Sequence, residues 1–167
     1  KSVKSVYVIS GNDSFLCNVA INLLKEELVA GFEEFNLIKL DGTDLKENDY
    51  NLALNTLPFG EGNRLIIINN INNIGIKLIS EFNKLPFFNV VVAVVQPSQK
   101  VDGEEVNCDH LNSVELKKYL INYFKKAELE YVPSVLDYII DISNGDLNYI
   151  TNELTKVVGY TEKNEVV

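Results

Sequence analysis

The chain has 167 residues, 46% of them hydrophobic, which is enough apolar material for one α/β domain with a small helical companion. Its net charge of −9 excludes a broad electrostatic grip on nucleic acid, which needs clustered lysine and arginine. No apolar run is long enough to cross a bilayer, and no signal-peptide pattern opens the sequence, so a folded, cytoplasmic protein without a membrane partner is expected.

Taken in chain order, residues 6–9 read as a strand, and Gly11-Asn12-Asp13-Ser14 punctuates it before a helical pattern over 15–28. Phe15, Val19, Leu23 and either Leu24 or Leu28 share one face of that helix. A second strand is expected over 35–40, ending at Asp41-Gly42, and then a helix carrying Tyr50, Leu52, Ala53 and Leu54. Next comes Thr56-Leu57-Pro58-Phe59-Gly60-Glu61-Gly62-Asn63-Arg64, a turn-forming stretch with an apolar tip. Pro58 biases Leu57 away from helix, and Gly60 and Gly62 permit left-handed backbone. Leu57 and Phe59 therefore either stand out as a docking wedge or fold back beside the next strand.

That strand, 65–68, is apolar on both faces, as is a further one over 89–95; a helix over 76–85, stopped by Pro86, lies between them. Between 96 and 111 no element is expected. From Asn112 onward the strand signal vanishes and three helices follow, over 113–126, 133–143 and 147–158. Asn112 with Glu115 forms a capping box, Pro133 suits a first helical turn, and Gly145-Asp146 separates the last pair. The expected organisation is a parallel α/β domain over 1–111 and a small helical domain over 112–167.

The turn after the first strand stands where α/β nucleotide-binding proteins keep their phosphate cradle. A P-loop needs G-x-x-x-x-G-K-[ST], whereas Gly11-Asn12-Asp13-Ser14-Phe15-Leu16-Cys17 has one glycine, no lysine and an aspartate where an anion would sit. Gly11 as a turn and Asp13 or Ser14 as a helix cap account for these residues. The third strand runs into Asn69-Asn70 rather than the acids a nucleotide-bound magnesium meets. His110, the single histidine, has no acid or nucleophile beside it in sequence. Asp41, Asp44, Glu47 and Asp49 lack the order of a calcium loop and read as a solvated face. Cys17 and Cys108, far apart in sequence and without metal-ligand spacing, are expected to be reduced, packed thiols. No catalytic, cofactor or metal set emerges. An ATPase with an aberrant site and a receiver-like signalling domain stay as alternatives to a binding protein.

In order and spacing, several segments resemble the delta subunit of the bacterial DNA polymerase III clamp loader. They are Gly11-Asn12-Asp13-Ser14-Phe15-Leu16, similar to G-[DEN]-[DE]-x-[FY]-L; Gly31-Phe32-Glu33-Glu34-Phe35-Asn36; Thr56-Leu57-Pro58-Phe59 leading to Arg64; and Gly145-Asp146-Leu147 followed by Asn152-Glu153-Leu154. The resemblance implies an AAA+-like parallel sheet with flanking helices that has lost ATP binding, then a three-helix lid domain; a helical collar domain lies outside these residues. It implies a subunit without catalytic residues of its own, working within a DNA polymerase III holoenzyme. Its partners would be the ring-shaped sliding clamp (beta subunit) and other clamp-loader subunits, with DNA met locally or indirectly. By position, Leu57, Pro58, Phe59 and Gly60 would form the clamp-binding wedge. Family members often carry a large apolar residue where Gly60 stands. Asn148 occupies the place of an arginine in nucleotide-sensing relatives. The stretch 99–104 is also shorter than the family's usual connection. With Lys1 first and no methionine anywhere, loop residues are expected to be missing between Asp102 and Gly103, and at Gly60 either the wedge is reduced or a residue is absent between Phe59 and Gly60.

Overall fold

The computed structural model describes residues 3–29, 31–60, 62–82, 89–96 and 98–160. Two compact units divide the chain, one running through Asp109 and the other beginning at His110. In the first, the elements follow as β1 (Val6–Ser10), α1 (Ser14–Leu28), α2 (Glu33–Asn36), β2 (Leu37–Asp41), α3 (Glu47–Asn55), β3 (Arg64–Asn69), α4 (Asn73–Phe82), β4 (Asn89–Val95) and β5 (Glu104–Asn107).

All strand pairs are parallel and the sheet order is β2-β3-β4-β1-β5. Parallel strands buried on both faces need continuous apolar runs, and β3 and β4 supply them by strict alternation. Ile66, Ile68, Val91 and Ala93 point into one core with Val6, Val8, Tyr50 and Ile79. Leu65, Ile67, Val90 and Val92 point into the other with Ile9, Leu28 and Cys108. Each fully buried aliphatic side chain there contributes about 1.5–3 kcal/mol. The fold is α/β, an AAA+-like parallel sheet with flanking helices, followed by three helices.

The structure departs from the sequence expectation in three places. β5 is a strand that periodicity misses. Its four residues are Glu-Glu-Val-Asn, and it exists through backbone pairing with β1 at the sheet edge rather than through an apolar face. Phe35 and Asn36, expected in the second strand, belong to α2, and β2 starts at Leu37. On α1 the sheet-facing stripe is Leu16, Ala20, Leu24 and Leu28, one residue round from the expected face, leaving Val19 and Leu23 exposed. Leu85 and Pro86, where the helix over 76–85 was expected to stop, lie outside the described residues.

The second unit holds α5 (Ser113–Ala127), α6 (Pro133–Ser143) and α7 (Leu147–Tyr160). Leu116, Leu120 and Phe124, four residues apart, bury one face of α5, and Leu136, Leu147, Ile150 and Leu154 also lie in the interior. Its boundaries are written in turn chemistry. The Asn112 side chain accepts the Val114 and Glu115 N–H groups while Glu115 accepts that of Asn112. Asn144 and Gly145 take left-handed backbone to end α6, and Asp146 accepts the N–H groups of Asn148 and Tyr149 to open α7.

Candidate protein-docking site

The apolar tip begins where α3 ends. Two buried side chains from neighbouring strands hold that end: Arg64, the first residue of β3, and Asn89, its register partner on β4. Arg64 Nη1 donates to the Ala53 and Thr56 carbonyls at 3.0 and 3.2 Å, and Asn89 Nδ2 donates to those of Leu54 and Thr56 at 2.8 and 2.9 Å. These carbonyls include the unsatisfied acceptors of a helix C-terminus, where a cation is also favoured by the dipole. Burial lowers the Arg64 pKa from its ordinary value, but a guanidinium stays charged. The chain therefore leaves α3 in a fixed direction, with Thr56 extended.

The tip itself is held by a residue 23 positions earlier. Asn36 is 2% exposed; its Nδ2 donates to the Phe59 carbonyl at 2.9 Å and its Oδ1 accepts the Phe59 N–H at 2.8 Å. A carboxamide bonded twice to one residue's backbone fixes that residue as a strand partner would. The Leu57 and Phe59 side chains remain 64% and 54% exposed, so neither folds fully back into the core. Phe59 leans on two other exposed rings, with its centroid 5.1 Å from that of Phe32, edge-on, and 5.0 Å from that of Phe35. Pro58 is half-buried. Gly60 is left-handed, with φ of 73°, and a Cβ there would come within 3.2 Å of the Phe32 ring. Where the resemblance expects a large apolar residue, the apolar bulk beside the backbone comes from Phe32.

Sequence reasoning placed Leu57, Pro58, Phe59 and Gly60 together but missed Phe32, Phe35 and Asn36 as their neighbours. Local pattern carries no sign of a pairing across 23 residues. The available signal was the Phe32–Phe35 spacing: two large rings flank Glu33 and Glu34, with no apolar face to join.

The turn after β1 has a different character. Asp13 is buried and its Oδ1 accepts the N–H groups of Phe15 and Leu16 at 2.9 and 3.1 Å, so α1's own carboxylate occupies the first-turn donors a phosphate would use. The segment after β5 crosses directly over Gly11: a Cβ there would lie 2.1 Å from the Cys108 backbone. Cys108 N donates to Ser10 O at 2.6 Å and Cys108 O accepts the Asp13 N–H at 2.9 Å, closing the turn. Beside it a cleft of about 720 Å³ opens at the ends of β1 and β4; its lining sets Asp102, Glu105 and Asp109 against Lys100, a field that repels phosphate. Cys17 and Cys108, distant in sequence, meet here, and burial first, then the Cys17 thiol, pushes the Cys108 pKa up to about 12.

The remaining candidates are dispersed. Asp41, Asp44, Glu47 and Asp49 are all exposed; Asp41 accepts the Thr43 hydroxyl and N–H, and Asp49 accepts the Lys46 N–H. His110 is exposed. Among the described residues no group of three or more His, Cys, Asp or Glu is arranged to hold a metal, and no helix is long and apolar enough to cross a membrane.

The family model described as DNA polymerase III, delta subunit matches residues 7–85, a span that includes Gly11, α2 and the tip. Over these residues, somewhat less than half of the chain, the sequence is similar to the delta-subunit family. Among solved structures, the Bacillus subtilis DNA clamp loader delta protein (YqeN) superimposes with a TM-score of 0.74 at 19% identity, covering 99% of this chain and 56% of that one. The Thermotoga maritima RuvB Holliday junction branch migration motor is similar at a TM-score of 0.52 and 17% identity, covering 97% of this chain and 58% of that one. A RuvB variant from the same organism gives 0.56 and 16%, with 97% and 59% covered. This chain thus spans somewhat more than half the length of these structures. No curated protein matches the sequence.

Proposed function

We propose that this chain is a non-catalytic clamp-loader subunit that binds the sliding clamp through the Leu57-Pro58-Phe59-Gly60 tip and helps to open the ring for DNA replication. The observation that carries the reading is the pairing of exposure with rigidity. Leu57 and Phe59 are more than half exposed, yet the backbone that bears them is fixed by Asn36 at the tip and by Arg64 and Asn89 at its root. A protein gains nothing for its own stability by holding apolar side chains in water; a preorganised apolar anchor lowers the entropic cost of docking. The family match supports the choice of partner.

In this reading the subunit performs no bond chemistry. Binding energy from the buried wedge shifts the ring toward its open state only to the extent that the open ring is bound more tightly than the closed one. Other clamp-loader subunits would be its assembly partners, and the cytoplasm its location. The same site geometry speaks against the ATPase alternative, because Asp13 and the Cys108 backbone occupy the phosphate position. The test is calorimetric titration of the cognate clamp with the full chain. Leu57→Ala combined with Phe59→Ala should weaken binding at least about 30-fold, as loss of hot-spot anchors does, with an unchanged melting curve. Unaltered affinity would remove the wedge assignment.

A further inference from the structure

Phe32 and Phe35 do not belong to the tip in sequence, and among the described residues they stay more than half exposed, at 56% and 57%. Phe32 is also held in left-handed backbone, at φ of 50°, a conformation unfavourable for a bulky side chain. Its carbonyl accepts the Phe35 and Asn36 N–H groups at 2.9 and 3.0 Å, which sets α2 and its two rings beside the tip. Through its two bonds to Phe59, Asn36 then locks α2 and the tip into one body.

We infer that the docking face is composite, with Phe32 and Phe35 contacting the same clamp pocket as Leu57 and Phe59; this rests on the clamp-binding reading above. The choice of occupant follows from continuity. The Phe35 and Phe32 centroids lie 5.0 and 5.1 Å from that of Phe59, so a surface that takes Phe59 out of water must also cover the adjoining ring edges. Phe32, Phe35 and Phe59 form a cluster of adjoining exposed rings on a pinned backbone, with exposed Leu57 two residues away along the chain, whereas the tip alone offers two apolar side chains. Rings clustered in this way are the kind of interface centre in which a few aromatic residues dominate affinity. Asn36 is a positioning residue, since its side chain is buried and acts through the backbone of Phe59.

The experiment titrates the cognate sliding clamp with the full chain carrying Phe32→Ala or Phe35→Ala, and follows 4-fluorophenylalanine placed at each of the two positions by fluorine NMR. Each alanine variant should lower affinity about tenfold without changing the melting temperature. The fluorine signals should lose their sensitivity to a soluble paramagnetic relaxation agent as the clamp saturates the chain. Weakened binding with both labels still open to the agent would mean that the rings only prop Phe59, and the inference fails. Unchanged affinity in both alanine variants, while Leu57→Ala with Phe59→Ala weakens binding, overturns the composite face and leaves the wedge standing. Absence of clamp binding by the unaltered chain overturns both.

Discussion

At the scale of single residues, Cys108 shows how packing sets reactivity. Its thiol is 2% exposed among Ile9, Leu65 and Val92, and burial, reinforced by the neighbouring Cys17, raises its pKa from 9.0 to about 12. The thiolate is the reactive form, so at pH 8 native Cys108 should resist alkylation by iodoacetamide until the chain unfolds. The same shift gives a sign for stability. An unfolded chain releases the Cys108 proton above about pH 9 while the folded one keeps it, so the contribution is whole below pH 9 and drains away as pH rises toward 12. Denaturant midpoints at pH 8 and 10.5 should diverge less in Cys108→Ala than in the unaltered chain. Equal labelling rates in the native and unfolded states would contradict this account.

At the scale of elements, the packing of α3 on α4 depends on Tyr50, which is fully buried between Gly42 and Gly75. A Cβ at Gly75 would stand 2.5 to 2.7 Å from three Tyr50 ring and hydroxyl atoms, in a place where the ring cannot yield. Alanine gains about 1 kcal/mol over glycine in a helix, but overpacking of this severity costs more. Gly75→Ala should therefore destabilise by about 1–2 kcal/mol in urea titrations, and an equal or higher midpoint would refute the close approach. The elements that sequence reasoning recovered are those whose stability is written locally. β3 and β4 have apolar runs, α5 has its Asn112 and Glu115 caps, and α6 has Pro133 at its start. β5 and α2 were illegible because their stability is not local: one is paired backbone at a sheet edge, the other is fastened through Asn36 to a residue 23 positions away. The candidate site divides in the same way. Turn chemistry announced Leu57, Pro58 and Phe59, while the rings beside them became neighbours only through the fold.

At the scale of the whole molecule, a sheet of order β2-β3-β4-β1-β5 brings the end of β1 to the place where nucleotide-binding relatives of this architecture hold phosphate. Here that place is filled by the chain's own atoms. The Asp13 carboxylate takes the helix donors, the Cys108 backbone closes over Gly11, and acidic residues outweigh Lys100 along the adjoining cleft. A ligand that binds only the native state raises its stability by RT ln(1 + [L]/Kd), about 2.7 kcal/mol at a hundredfold excess over Kd. For a chain of this size each kcal/mol moves the melting temperature by roughly 2–4 °C, so a working site filled by millimolar ATP with magnesium would shift it by several degrees. No upward shift is expected. Freeing the donors by Asp13→Ala is not expected to create binding either, because the Cys108 crossing and the acidic lining remain in place. A rise of several degrees with ATP in the unaltered chain would restore the ATPase reading and show that the turn after β1 opens to admit phosphate.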